Sequence, residues 1–194
     1  MMNGLKHVLL KWLPGSFVRH GPSTHERGDV TSVDLKMMER ALSLAEDAAN
    51  RGEVPVGAVV YRDDVVLAEA SNNREASGDP TGHAEIVALR DAGLKNGGWR
   101  LDDCSVVVTL EPCPMCAGAM VNARVGRLIY GASDPKGGGC ESLYEITCDP
   151  RLNHRLETIG GIMEERCGEL LRTFFRERRA LKKAAKAKVG EDSS

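Results

Sequence analysis

Short β-branched runs alternate with segments of helical periodicity along most of this 194-residue chain, and that alternation leaves few architectures open. Ser32 or Asp34 can cap a helix that carries Met37, Met38, Ala41, Leu42, Leu44, Ala45 and Ala48 at helical spacing, with Gly52 ending it. Residues 54–61 and 65–70 are β-branched runs separated by Arg62-Asp63-Asp64, the pattern of a hairpin. A polar loop, 71–82, leads to a helix expected from His83 to about Lys95, with Ile86, Val87 and Leu89 inward. Strands are expected at 105–109, 127–130 and 156–159, and helices at 115–123, 142–147 and from Met163 to about Lys186. Gly137-Gly138-Gly139 marks a flexible loop. The expected fold class is α/β, a layered sheet in one folded domain over 32–180.

Composition narrows the class further. Hydrophobic residues at 42% and charged residues at 28% are ordinary for a soluble globular protein. Six cysteines without regular spacing argue against a disulfide scaffold and suit a reduced cytosol. No apolar run approaches the roughly 20 residues of a membrane span. Residues 1–31 are expected to be a disordered N-terminal extension. No acidic residue occurs before Glu26, and Lys6, Lys11 and Arg19 are basic. Lysines interrupt its apolar stretch, so it does not read as a secretory signal. Residues 181–194 form a basic and then polar C-terminal tail.

The chemistry lies in two short motifs, His83-Ala84-Glu85 and Pro112-Cys113-Pro114-Met115-Cys116. Two thiolates and one imidazole make three zinc ligands, and three protein ligands leave a fourth position open for water, the catalytic arrangement. Both motifs fall at expected helix starts, whose positive ends favour thiolates. Taken singly, the histidine reads as an ordinary packed residue and the Cys-x-x-Cys as a redox pair or half a structural site. No thioredoxin-like pattern surrounds it. Cys104, Cys140, Cys148 and Cys167 stand isolated and read as packing residues. The conjunction decides: it should arise by chance in on the order of one chain in ten thousand, and it is the signature of zinc nucleobase deaminases.

The surrounding sequence is more specific. The stretches Val54-Pro55-Val56-Gly57-Ala58-Val59, Asp79 to Glu85, Val108 to Met120, Gly131-Ala132-Ser133-Asp134-Pro135-Lys136, Asn153-His154-Arg155 and Phe174-Phe175-Arg176 resemble, in the same order, the bacterial tRNA-specific adenosine deaminases of the cytidine deaminase superfamily. That resemblance implies a three-layer α/β/α cytidine deaminase-like fold around a mixed five-stranded sheet. It implies one Zn2+ per subunit held by His83, Cys113 and Cys116, with Glu85 as the catalytic proton carrier. Asn72, Ala84, Asp134, Lys136, Asn153 and Arg155 would bind substrate. The implied reaction is hydrolytic deamination of the wobble adenosine of a tRNA, that of an ACG anticodon above all, by a cytoplasmic homodimer without a nucleotide cofactor or membrane. Ser133 stands where several relatives carry arginine. Deamination of a free nucleobase or nucleoside remains the alternative, since such enzymes share the zinc motifs.

Features outside the motifs bear on RNA. Arg172, Arg176, Arg178, Arg179, Lys182, Lys183, Lys186 and Lys188 crowd the last helix against one acid, Glu177. Such a stripe suits phosphates and equally suits a solvated helix end. Aromatic residues at 4% argue against a multi-base stacking platform and fit a pocket for one flipped base from an unpaired loop.

Overall fold

The computed structural model describes residues 29–191. The expected N-terminal extension therefore lies outside the described residues except for 29–31, as do residues 192–194 of the tail. The chain order is α1 (Ser32–Asn50), β1 (Gly57–Arg62), β2 (Val65–Ser71), α2 (Arg74–Ser77), α3 (Ala84–Lys95), β3 (Ser105–Leu110), α4 (Pro114–Ala123), β4 (Arg127–Ala132), β5 (Glu157–Ile159) and α5 (Glu164–Glu191).

The strands form one five-stranded sheet in the order β2-β1-β3-β4-β5. β1 is antiparallel to both β2 and β3, and β3, β4 and β5 run parallel. The expected mixed sheet is thus the one observed. The central strands are apolar on both faces because both faces are covered. Ala58, Val60, Val106, Val108, Leu128 and Tyr130 pack toward Ala84, Ala88 and Leu89 of α3 and Ala117 and Met120 of α4. Their alternates Val59, Tyr61, Val107 and Ile129 pack toward Met37, Met38, Ala41 and Leu42 of α1 and Cys167 of α5. Period-two alternation in the strands therefore builds two cores, with the sheet as the middle of three layers.

Local chemistry fixes the element ends. Thr31, not Ser32 or Asp34, is the α1 N-cap: its hydroxyl accepts from the Asp34 N–H, and Asp34 returns the bond to the Thr31 N–H. Asp34 is also the centre of a buried group, accepting from the Tyr61 hydroxyl and, at 2.7 Å, from Arg127. β1 begins at Gly57, later than the expected residue 54, since the Val56 N–H turns back to the Val54 carbonyl. A Cβ at Gly57 would lie 2.1 Å from the Ala41 carbonyl oxygen, so only glycine lets α1 rest directly on β1 there. On α3 the buried face is Ala84, Glu85, Ala88, Leu89 and Ala92, while Ile86 and Val87 are only half-buried. The expected helix at 142–147 does not form; those residues are turns. Their N–H groups bond elsewhere, as described below.

Candidate active site

β2 and β3 both run antiparallel to β1, so their carboxyl ends share one edge of the sheet. The loop after β2 delivers His83 as the N-cap of α3, and the turn after β3 delivers Cys113 as the N-cap of α4. Ligands gather at such an edge in α/β sheets because helix N-termini point there. Pro114 suits the first position of α4, where its missing N–H costs nothing. Cys116 follows in the first turn, fully buried.

These three side chains meet. Cys113 Sγ lies 3.6 Å from Cys116 Sγ, and His83 Nδ1 lies 3.7 Å from the first and 3.5 Å from the second. A tetrahedral zinc with bonds of about 2.3 Å to sulfur and about 2.0 Å to nitrogen needs an S–S edge of about 3.8 Å and S–N edges of about 3.5 Å. The cluster matches those edges, and its donor set of two sulfurs and one imidazole is what zinc selects. It is the cluster found among the described residues whose ligand atoms lie close enough together to hold a metal ion, and it has three members.

The electrostatics follow from the packing. The Cys113 thiol is lowered to about 4, first by the hydrogen bond from the Cys116 thiol and then by His83 against the cost of burial. Cys116, donating that bond and buried, is pushed up. His83 is raised, chiefly by its bond to Cys113, with the nearby Glu85 charge adding. Glu85, 4% exposed, sits in the first turn of α3 beside the cluster, and burial raises its carboxyl.

Two other buried glutamates hold the walls, and the sequence reading gave neither a role. Glu53, 1% exposed, accepts from the Asn72 side-chain amide at 3.0 Å and from the Glu75 and Ala76 N–H groups at 3.3 and 2.7 Å. Asn72 is thereby buried and oriented, and its neighbour Asn73 bonds to the carbonyl of Gly82, just before His83. Glu111, 2% exposed, accepts from the N–H groups of Asp134, Cys140, Glu141 and Ser142 and from the Ser142 hydroxyl. Burial alone would raise its carboxyl; the Ser142 hydroxyl and these N–H groups overcome that and hold it below the usual range. Residues 142–147 are not helical: the Ser142 N–H serves Glu111, the Leu143 N–H donates to Gly138, and the Ile146 N–H, which a helix would direct to Ser142, donates to the Gly139 carbonyl. The loop in turn sits hard against the second motif. The Gly139 N–H donates to the Pro112 carbonyl at 2.7 Å, and a Cβ on Gly139 would lie 2.9 Å from the Cys113 carbonyl carbon.

Of the expected substrate contacts, Asn72 and Ala84 lie on the His83 side, and Asp134 with exposed Lys136 lies on the loop that Glu111 anchors to the Cys113 side. Asn153 is not brought to the cluster. It accepts from Arg124, the C-cap at the opposite end of α4, at 2.7 Å, and exposed Arg155 is two residues further on. Ten helical residues put that end about 15 Å from Cys113. His154 is tied to the Val125 carbonyl at 2.7 Å.

The MafB19-like deaminase family matches residues 33–179. The chain is 44% identical over 158 residues to the tRNA-specific adenosine deaminase of Bacillus subtilis (strain 168), over 81% of this chain and 98% of that protein. It is 45% identical over 158 residues to the tRNA-specific adenosine deaminase of Haemophilus influenzae, over 81% of this chain and 91% of that one. A solved structure from biochemical and structural studies of A-to-I editing by tRNA:A34 deaminases at the wobble position of transfer RNA matches at TM-score 0.68 and 43% identity, over 70% of this chain and 99% of that one. A guanine deaminase of Nitrosomonas europaea, at 23% identity and TM-score 0.61, shares the fold.

Proposed function

This chain belongs to the MafB19-like deaminase family and, within it, to the tRNA-specific adenosine deaminases; from that premise we propose that it removes the 6-amino group of the wobble adenosine of a tRNA, with water entering and ammonia leaving, to give inosine. The observation that carries the reading is the cluster of His83, Cys113 and Cys116, with edges of 3.5 to 3.7 Å, beside buried Glu85.

His83, Cys113 and Cys116 hold one zinc ion per subunit. Bound there, zinc supplies a Lewis acid that lowers the pKa of a water to about 7. Glu85 takes a proton from the attacking water and delivers it to the ring nitrogen beside the reacting carbon; it then takes the remaining proton of the new hydroxyl on that carbon and passes it to the departing amine. Burial raises the Glu85 carboxyl, the direction that suits a group that must take up a proton and give it back. Glu53 takes one N–H of the Asn72 amide, leaving the other N–H and the carbonyl oxygen for the target nucleoside. The Ala84 backbone, at the first turn of α3, faces the same base. Asp134 and Lys136 bind the ribose and backbone next to the target. Asn153 and Arg155, at the far end of α4, reach the anticodon arm further out.

The tRNA is that with an ACG anticodon, met in the cytoplasm; no helix among the described residues is long and apolar enough to cross a membrane. A homodimer is supported by the groove between α3 and α4, a cavity of about 700 Å³ walled by Ile86, Leu89, Leu94, Trp99 and Ala119. Leu94 and Trp99 are 78% and 62% exposed there, apolar side chains that a second copy would cover. Leu94→Glu should sediment as a monomer; a wild-type monomer would remove this part of the reading.

The test of activity is inosine formation in a tRNA with an ACG anticodon, read as adenosine-to-guanosine changes on reverse transcription. Zinc-loaded protein should convert the wobble position alone, and Glu85→Ala should lose at least 100-fold in rate, roughly the lower bound for a lost general acid–base. Turnover of free guanine or adenosine without conversion of the tRNA would overturn the substrate and keep the chemistry.

A further inference from the structure

Large apolar side chains stand exposed at the rim of the cluster. Met115, between the two cysteines, is 37% exposed, and on the adjoining loop Leu143 and Tyr144 are 51% and 56% exposed. An exposed tyrosine on a mobile loop would need no explanation. This loop is fixed. Glu111 accepts from Cys140, Glu141 and Ser142 just before it, the Leu143 N–H is tied to Gly138 at 3.3 Å, and the Ile146 N–H is tied to Gly139 at 3.0 Å. Gly139 in turn abuts Cys113 and Pro114. Tyr144 is therefore held between two pinned amides, five residues beyond the glycine that packs on Cys113, with its side chain more than half exposed and no part in the chemistry.

We infer that Tyr144 is a base-stacking residue, whose ring takes the face of a nucleotide flanking the target adenosine. The inference rests on the tRNA reading above. Extruding a base into a pocket leaves its neighbours unstacked, and aromatic faces are the usual replacement in single-stranded recognition. Exposed Glu141 and Glu145 stand three residues before and one after Tyr144 in the chain, and Glu141 also accepts from the Tyr130 hydroxyl at 2.5 Å. They repel phosphate, so what Tyr144 can accept is the uncharged face of a base. The same two acids disfavour the core of a protein interface, where charge is depleted, and the apolar groove suited to a second copy lies between α3 and α4. One fixed tyrosine also fits a chain too poor in aromatics for a longer stacking surface.

The experiment uses zinc-loaded full-length protein and an anticodon stem-loop RNA carrying 2-aminopurine on one or the other side of the wobble adenosine. Wild-type protein should quench the probe on one side. Tyr144→Phe should keep the quenching, and Tyr144→Ala should lose it, weaken binding by about 5- to 150-fold, and raise KM with little change in kcat. Equal quenching and affinity in Tyr144→Ala would overturn the inference while leaving wobble deamination standing. Dissociation of Tyr144→Ala to monomers in sedimentation would also overturn it, assigning the ring to the subunit interface. A wild-type protein that neither binds nor deaminates the stem-loop would remove both this inference and the tRNA reading.

Discussion

Replacing Glu111 by glutamine tests whether the Cys113 side of the site is held by a carboxylate. Oε1 of Glu111 accepts from the N–H groups of Cys140, Glu141 and Ser142 at 3.2, 2.8 and 2.9 Å, and Oε2 accepts from that of Asp134 at 3.0 Å and from the Ser142 hydroxyl. Glutamine keeps one acceptor. With its oxygen toward the three-donor side, its NH2 faces the Asp134 N–H, and opposing two donors costs about 1–3 kcal/mol. The three remaining bonds fall from charge-assisted to neutral strength, a loss of about half to one kcal/mol each. The sum is about 2.5–6 kcal/mol, a large share of the stability of an ordinary domain. At roughly 2–4 °C per kcal/mol for a domain of this size, calorimetry of the zinc-loaded variant should show a midpoint roughly 5–24 °C lower. If the loop detaches before the domain unfolds, the shift falls at the low end and hydrogen exchange of 138–146 rises instead. A midpoint within about 2 °C of wild type, with the loop still protected, would show that water or backbone rearrangement replaces the carboxylate at little cost.

Asp34 should make a pH-dependent contribution to stability. Burial alone would raise its carboxyl, and the Tyr61 hydroxyl, the Thr31 N–H and Arg127 overcome that and hold it below the ordinary value. A depressed carboxyl stabilises the fold above its unfolded value of about 3.9, and that contribution is lost as pH falls through the folded value. Asp34→Asn should therefore be about 2 kcal/mol less stable than wild type near neutrality, with the gap closing in denaturant melts below about pH 4; a gap independent of pH would refute the assignment. Metal removal should act on both fold and activity. Chelation should lower the unfolding midpoint and abolish deamination, zinc should restore both, and Cys116→Ala should recover neither; a stoichiometry other than one zinc per chain by elemental analysis would refute the three-ligand site.

The sheet, its two helical layers and the metal cluster were all legible in the sequence, because each rests on a local signal. Short β-branched runs give strands such as the one expected at 105–109, small residues give the helix expected at 115–123, and His-x-Glu with Pro-Cys-x-x-Cys gives the ligands. What was not legible depends on partners far along the chain. Ser142 to Thr147 has an acceptable helical composition, yet its Ser142 amide goes to Glu111, some thirty residues earlier, and its Leu143 and Ile146 amides go to Gly138 and Gly139. Glu53 reads in sequence as an ordinary glutamate after a helix-ending Gly52, and nothing local says that it will orient Asn72 across nineteen positions. Ile86 and Val87 look like the inner face of α3 by hydropathy. The helix instead turns alanines to the sheet, and Ile86 joins the wall of the groove against Ala119 and Trp99.

The three buried glutamates show how one side-chain type serves two ends. Glu53 receives two backbone N–H groups from α2 and Glu111 four from the loop after β4, which satisfies each buried carboxylate and fixes the segment it holds. Glu85 is buried as deeply, but the backbone donor it has is its own N–H, and its remaining neighbours are His83 and the two cysteines. Donors stabilise the charged form, so a glutamate surrounded by them cannot take up a proton near neutrality. The directions agree: the Glu111 carboxyl is held down and that of Glu85 is pushed up. Divergent environments for like groups are how acid–base roles are assigned within one site. The fold thus gives Glu111 the donors that hold its carboxyl down and withholds such donors from Glu85, a difference that supports the proton-carrying role proposed for Glu85.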